Sequence, residues 1–556
     1  MEKMEIFQLS SLAKVFPTTI YGDAAAYGEI AKGQSFSYQI ALKGKAGEYT
    51  FAVSSPIAQY ITAYKVGFVP LTTPTYDTCR DDDYLTKEKG ICPDPLFPIK
   101  DGKIEVKEGE YATIWLCINL PKDIEAQEYK ICFELFDDGA SVGNAEFNLT
   151  VHNILLPEQK LKFTQWFHTD CIANVHGVEV YSEEHWALIE KYVSVAASHG
   201  MNMLLTPILT PPLDTAVGGE RTTVQLVKIE KKGKKYTFDF SKAERFIDIC
   251  LKYGIEYFEI NHMFTQWGAK NAPKVVATVD GEEKKIFGWD TDATSKEYVD
   301  FLKQLVPAIV EVFENKGIDK NRIYFHVSDE PNDGCITEYA NAYKVIKKLI
   351  KGCEQVDAIS HLEFYKKKII KTPIVATNAI EPFLAENVPN LWCYYCCAQH
   401  EYVSNRFMAM PSYRNRILGV QMYKHSIVGF LQWGYNFYNL QYSKGQINPY
   451  EVTDAGGSFP SGDSFSVYPY ENGATPSFRM KVFKNALEDV QLLTALEAKI
   501  GREAVCQLID RVAGMEITFK EYPRNEEFFV NLYKEIFKIL NDRDGVSYEH
   551  NNARNY

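Results

Sequence analysis

From about residue 160 to residue 500 the chain alternates short apolar runs with stretches of helical periodicity, and this alternation limits the fold most. A strand followed by a crossover helix pairs in parallel with the next strand, which leaves only a few layered or closed α/β architectures. KFTQWFHTD (162–170) precedes a helical pattern over 183–199. MNMLLTPI (201–208) precedes one over 241–253, with a hairpin-like insertion, TTVQLVKIEKKGKKYTFDF, between them. IEYFEINHM (255–263) precedes a helix over 295–316, again after an inserted hairpin, and IYFHVSDEP (323–331) precedes one over 336–351. TPIVATN (372–378), LWCYYCC (391–397, leading to a helix around 405–424) and SIVGFLQWGYNFY (426–438) follow. SFSVYP (464–469) comes last, before a long helix over 476–500.

Eight such segments predict a (β/α)8 barrel over 158–500, with long insertions after the second and third strands. A doubly wound open sheet is the alternative; against it, no Gly-rich phosphate turn follows any segment. Residues 501–556 read as a helical extension, with two more amphipathic helices in 502–540 and a loose polar tail, DRDGVSYEHNNARNY.

Residues 1–157 have a different period. Phe36, Tyr38, Ile40 and Leu42 alternate with polar or small residues, and so do Ile114, Leu116, Ile118 and Leu120. Tyr129, Ile131, Phe133 and Leu135 repeat the pattern, as do Phe147, Leu149 and Val151. Period two with turn residues between runs predicts an N-terminal antiparallel β-sandwich.

Charge narrows the partners. The net charge is −13 and no block of Lys/Arg is long enough to form a phosphate-binding face, which argues against nucleic acid and anionic membrane. No run approaches 18 apolar residues, so no transmembrane helix is expected. The start, MEKMEIFQLSSLAKVF, has no long apolar core of a secretory signal, and the twelve cysteines do not read as a disulfide framework; a cytoplasmic protein is expected. Cys393-x-x-Cys396-Cys397 has a zinc-like spacing, but its flanks are Trp392, Tyr394 and Tyr395 and no second Cys/His pair lies nearby. It reads as a buried strand, and no metal or cofactor is expected.

In a barrel, chemistry sits at the C-terminal ends of the strands. Side chains alternate faces along IYFHVSDEP, so Phe325 and Val327 should face the helices, and His326, Ser328 and Glu330 the barrel axis. Pro331 ends the pairing and leaves Glu330 at the rim, beside Asp329. His168 and Asp170 share a face at the end of the first segment. The third ends in Asn261–His262 and leads to Trp267. Tyr394 and Tyr395 end the LWCYYCC segment, Trp433 and Asn436 follow Gln432, and Asp463 precedes the last segment. Aromatic rings suit the apolar faces of sugars, and carboxylates and amides suit their hydroxyls, so His168, Asp170, His262, Trp267, Tyr394, Tyr395, Trp433, Asn436 and Asp463 are candidate substrate contacts.

A double-displacement glycosidase needs two carboxylates flanking the anomeric carbon. Counted as the seventh strand, GFLQWGYNFY carries Gln432 and no acid. Two adjacent acids fit substrate-assisted hydrolysis instead. There the sugar's 2-acetamido oxygen attacks the anomeric carbon, one acid protonates the leaving oxygen, and a second carboxylate holds the acetamido N–H. Both acids reach one site only if the backbone bends or bulges at the strand end.

With HVSDEPN, FTQWGAK, WCYYCC, GFLQWGYNFYN and GDSFSVYP followed by PSFRMKVFKNALEDVQLL, the chain resembles glycoside hydrolase family 123 and its relatives over roughly residues 160–500. The resemblance implies a β-N-acetylgalactosaminidase-like enzyme with an N-terminal sandwich and a (β/α)8 catalytic barrel. The lack of a secretory signal departs from secreted members that work on large glycans and favours small glycosides or oligosaccharides as substrates. It implies Glu330 as general acid/base, Asp329 as the acetamido-orienting carboxylate, and Tyr394 or Tyr395 as a hydroxyl for the acetamido oxygen. Two other readings stay open. One is a glycosidase on a sugar without an acetamido group, using Asp170, Asp463 or Glu259. The other is a non-catalytic carbohydrate-binding barrel.

Overall fold

The period-two segments pair face to face. The computed structural model describes residues 4–542. One five-stranded sheet orders Glu5–Ser10, Ser35–Lys43, Ala112–Asn119, Ile61–Leu71 and Gly90–Pro98, all antiparallel. The second orders Tyr27–Lys32, Ala140–Leu155, Glu128–Asp137, Gly47–Ser54 and Lys103–Val106. Here Tyr27–Lys32 runs parallel to Ala140–Leu155, a departure from an all-antiparallel sandwich. The inward residues Tyr38, Ile40, Leu116, Ile131, Phe133 and Phe147 meet in one apolar core between the sheets.

Eight parallel strands form the barrel: β1 (Lys162–Gln165), β2 (Met203–Thr206), β3 (Tyr257–Ile260), β4 (Ile323–Phe325), β5 (Glu354–Ala358), β6 (Thr372–Ala376), β7 (Trp392–Tyr394) and β8 (Gly429–Gln432). The ladder runs without a break from β2 through β3 and on to β8 and β1. Asn202 closes the remaining seam. Its backbone N–H donates to the Phe163 carbonyl at 3.2 Å, its Oδ1 accepts the Phe163 N–H at 2.8 Å, and its Nδ2 donates to the Leu161 carbonyl at 3.2 Å. A side-chain amide thus supplies the donor and acceptor that a missing ladder leaves open. Trp166, Leu205, Tyr324, Val356, Ile374 and Leu431 fill the interior. Phe258, Phe325, Val327 and Phe430 face the surrounding helices.

The strand count corrects one expectation. SFSVYP is not a barrel strand: Val467–Tyr470 folds back in antiparallel pairing with Gly473–Pro476. The fifth strand is β5, so TPIVATN is the sixth, LWCYYCC the seventh and GFLQ the eighth. β5 hides its character because Gln355 and Asp357 are buried yet polar. Both bond to the Tyr339 hydroxyl of helix Ile336–Ile346, Gln355 at 3.0 Å. The true seventh strand, β7, likewise carries no acid and ends in Tyr394.

The two inserted hairpins, Lys228–Lys232 with Lys235–Asp239 and Val275–Val279 with Glu282–Phe287, join into one four-stranded sheet. Helices Phe478–Ile500, Arg502–Ala513 and Glu527–Asn541 share a single apolar cluster with Trp115 and Leu156 of the sandwich and Ile417 of helix Ser412–Lys424. They wedge the sandwich against the barrel. The polar tail expected at the C-terminus lies, beyond Asp542, outside the described residues. Among the described residues no helix is long and apolar enough to cross a membrane.

Candidate active site

The chain leaving β4 is clamped from both sides. The N–H groups of Met263, Phe264 and Trp267 donate to the carbonyls of His326, Val327 and Asp329 at 3.2, 3.2 and 2.9 Å. On the other side the Val327 N–H donates to both oxygens of Asp357, at 3.0 and 3.1 Å. The Ser328 hydroxyl donates to the Thr265 carbonyl at 2.8 Å, so this inward serine braces a loop. Glu330 then adopts φ +42°, a left-handed conformation that costs a non-glycine residue about 1–3 kcal/mol. In an extended strand Asp329 and Glu330 would point to opposite faces. This turn brings both to one cleft at the C-terminal mouth of the barrel.

Each wall of the cleft comes from the end of a different strand. Trp166 follows β1, Asp214 lies on the loop after β2, Trp267 follows β3, Tyr394 ends β7 and Trp433 follows β8. Tyr442 stands opposite Trp267, edge to face with ring centres 5.7 Å apart. Trp267 is 42% exposed and has φ +60°, which presents its ring at the rim. The Tyr394 hydroxyl donates to Glu330 Oε1 at 2.8 Å. Trp433 is fixed by its indole N–H, which donates to Asp463 Oδ2 at 2.9 Å. Gly434 lets this segment lie against residue 464, because a Cβ there would sit 2.3 Å from the Ser464 carbonyl oxygen.

Three carboxyls share the space. Burial pushes the pKa of Asp329 well above the usual range, and the charge of Glu330 adds to the rise. Crowding by the cleft walls also raises Glu330, while the bond from Tyr394 pulls it down. Glu330 is exposed at the open side, and the water there limits the rise. The adjacent acids interact closely enough to titrate as a pair. Asp214 is pushed up to about 6 by burial, against the Tyr442 N–H that donates to its Oδ2 at 3.0 Å.

Of the expected contacts, Trp267, Tyr394 and Trp433 line the cleft with Asp329 and Glu330. The others do not. Asp170 is locked in a buried bidentate pair with Arg221, at 2.7 and 2.8 Å. His168 accepts from Arg221 on Nδ1 at 3.1 Å and donates from Nε2 to the Trp433 carbonyl at 2.9 Å, so it positions Trp433. Burial and the Arg221 charge depress its pKa to about 3. Asn436 holds both the N–H and the carbonyl of His168, at 2.9 and 3.0 Å. Asp463 is buried behind Trp433, its pKa pushed up to about 7 by burial. Tyr395 points into the helical layer, against Phe430 and Asn415. His262 is buried below the cleft, stacked on His326. Polar residues at strand ends are visible in a sequence, but whether each touches ligand or braces a neighbour is decided by partners far along the chain. Asp214 escaped notice because it sits in an irregular loop eight residues past β2.

His262, His326 and Asp357 each place a ligand-type atom within 4.8 Å of the others. The two imidazoles stack with centres 4.5 Å apart and 26° between planes. A metal lies in the plane of each ring that binds it, so nearly parallel rings do not converge on one ion. Both nitrogens of His326 already face carboxylates. Cys396 and Cys397 line the cleft, and all twelve cysteines are unpaired.

A parallel barrel with acids and aromatic rings at its C-terminal mouth is the frame of many glycosidases. The family model for the glycoside hydrolase 123 catalytic domain matches residues 166–496. The chain belongs to glycoside hydrolase family 123. The matched span runs from Trp166, at the cleft wall, to Leu496 in the long helix behind the barrel. A family 123 glycoside hydrolase from Clostridium perfringens, described for glycolipid glycan hydrolysis, has the same architecture. It is 13% identical, the match covers 97% of this chain and 98% of that one, and the TM-score is 0.72. A family 5 xyloglucanase from Bacteroides ovatus matches with 10% identity over 83% and 98% of the two chains, at a TM-score of 0.30. No curated protein matches the sequence. The chain is thus a glycoside hydrolase, and a glycan is its substrate.

Proposed function

We propose that this glycoside hydrolase is a retaining, substrate-assisted β-N-acetylhexosaminidase, releasing GalNAc from small glycosides or oligosaccharides. The observation that carries the reading is the turn at Glu330, which gives Asp329 and Glu330 one cleft. Glu330, at the open side, protonates the glycosidic oxygen as the C–O bond breaks. The substrate's acetamido oxygen forms the new bond to the anomeric carbon from the opposite face. Asp329 accepts the acetamido N–H and balances the positive charge of the resulting oxazolinium ring. Glu330, now a carboxylate, takes a proton from the water that reopens the ring, and the β configuration is retained. Tyr394 stands beside Glu330 and can turn its hydroxyl to the acetamido oxygen. Trp433 and Trp267 offer apolar faces to the sugar and the leaving group. GalNAc itself rests on the family resemblance. Twelve free thiols fit a cytoplasmic enzyme.

Asp214 favours one other reading, a glycosidase on a sugar without an acetamido group, because it adds a third carboxyl to the cleft. Asp170, Asp463 and Glu259 do not serve that reading, since each is buried against its own partner. Initial rates on aryl β-glycosides of GalNAc, GlcNAc, galactose and glucose separate the two. Turnover confined to the acetamido sugars, with inhibition by a thiazoline analogue, supports substrate assistance. Equal turnover of galactose or glucose sinks it.

A further inference from the structure

Below the cleft lies a charge cluster that does not line it. His326 is fully buried just past β4. Its Nε2 lies 3.2 Å from Glu259 Oε1 on β3, and its Nδ1 lies 3.2 Å from Asp357 Oδ1 on β5. The outer oxygens of both acids accept hydroxyls: Thr164 donates to Glu259 Oε2 at 2.7 Å, and Tyr339 donates to Asp357 Oδ2. A neutral imidazole donates from one nitrogen only. Carboxylates on both nitrogens call for the doubly protonated ring. In agreement, the two acids outweigh burial and lift the His326 pKa to about 9.

The surroundings contain the charge. His262 stacks on His326 and is kept neutral by burial and by the His326 charge, its pKa well below the usual value. Trp166, a cleft residue, meets both rings edge on, at 5.2 and 5.9 Å. Glu259 and Asp357 are the acidic groups bonded to the ring, and Asp329 stands three residues further along the same segment. The cluster is also tied to the backbone that carries the acids, since Asp357 takes the Val327 N–H.

We propose that His326 is a positioning residue for the two adjacent acids: as an imidazolium it fixes the end of strand four through Asp357 and supplies the buried positive charge against which Asp329 ionises. The inference rests on the roles given above to Asp329 and Glu330. The two acids differ in just this respect. The His326 charge favours the ionised form of Asp329, whereas Glu330 answers to burial and to Tyr394.

The test pairs His326→Gln with Glu259→Gln. The double variant removes one positive and one negative charge, so the cluster keeps its net charge and gains no second uncompensated acid. It should melt near the wild-type temperature. Its kcat on an aryl β-GalNAc should fall by about 10²-fold while KM stays near wild type, as expected for misplaced catalytic groups. Removing a nearby cation raises a carboxyl pKa, so the acidic limb of the pH–rate profile should move to higher pH. A folded double variant with kcat and both limbs unchanged overturns the proposal. A second readout needs no activity: wild-type protein carrying 13C at histidine Cε1 should show one imidazole, absent from the double variant, still protonated at pH 8. No other histidine among the described residues lies between two carboxylates, so this arm decides even if the double variant does not fold. If no histidine remains protonated above the ordinary value of about 6.5, the inference fails while the enzyme assignment stands. A wild-type enzyme inactive on every acetamido sugar sinks the proposed function, and the role of His326 with it.

Discussion

Tyr394 at the end of β7 donates its hydroxyl to Glu330 Oε1 at 2.8 Å, joining the acid of one strand end to the phenol of another. A donated bond favours the charged carboxylate, so it holds the Glu330 pKa down against burial. Tyr394→Phe removes that restraint. A general acid works only while protonated, and activity falls as pH rises through its pKa. The alkaline limb of kcat/KM should therefore move to higher pH in Tyr394→Phe, with kcat reduced if the phenol also holds the acetamido oxygen. A limb shifted to lower pH would show that Tyr394 does not restrain Glu330.

Glu330→Gln should lower kcat by about 10²–10⁴-fold, the contribution of a positioned general acid, and should abolish the alkaline limb altogether. The loss should grow with the pKa of the leaving group, because a poor leaving group needs the proton most. Asp329→Asn should lower kcat on GalNAc glycosides and still show an alkaline limb, because Glu330 remains the titrating acid. Rates measured across a series of aryl leaving groups check both variants, and unchanged turnover in both would remove the pair from the mechanism.

The barrel was legible because burial imposes period two on strands and period 3.6 on helices. It blurred where buried residues are polar. Gln355 and Asp357 satisfy each other through Tyr339, and that made β5 look like a loop. Val467 and Tyr468 pack like barrel residues, and a hairpin passed for a strand. The acids at 329 and 330 were legible as an oddity at the end of an apolar run. Their convergence was not, because it depends on one dihedral angle at Glu330 and on the loop after β3 that holds it. His168, Asn436 and Asp463 were recognisable as polar groups near strand ends, yet they form the scaffold of Trp433 and not the surface of the cleft.

That distinction is testable at Asp170. Its pair with Arg221 is buried on both sides, and removing one partner of such a pair strands a charge at a cost of about 3–5 kcal/mol. Asp170→Asn should lower the melting temperature markedly while KM for a simple glycoside changes little. A raised KM with unchanged stability would return Asp170 to the substrate site. Arg221→Met should behave like Asp170→Asn, and combining the two should cost less than the sum of the single changes, since neither charge is then left alone.

Glu526 offers a change in the opposite direction. It sits between the sandwich and the last helix, where the Ser10 hydroxyl donates to its carboxylate. Burial, set against that bond, lifts its pKa to about 7 from the ordinary 4.5, and the nearby Asp23 charge adds to the rise. An acid whose folded pKa is raised destabilises the fold when it must ionise. The unfolded chain releases the proton near pH 4.5 and the folded chain holds it to about pH 7, so stability is lost across that window and the full penalty applies above it. The penalty is about 3 kcal/mol at one pKa unit per 1.4 kcal/mol. Glu526→Gln keeps an acceptor for Ser10 and removes the charge. Its melting temperature should exceed that of the wild type at pH 8, and the gap should close as pH falls toward 4.5. A variant less stable at both values would mean that the carboxylate has a cationic partner in the folded chain that outweighs burial.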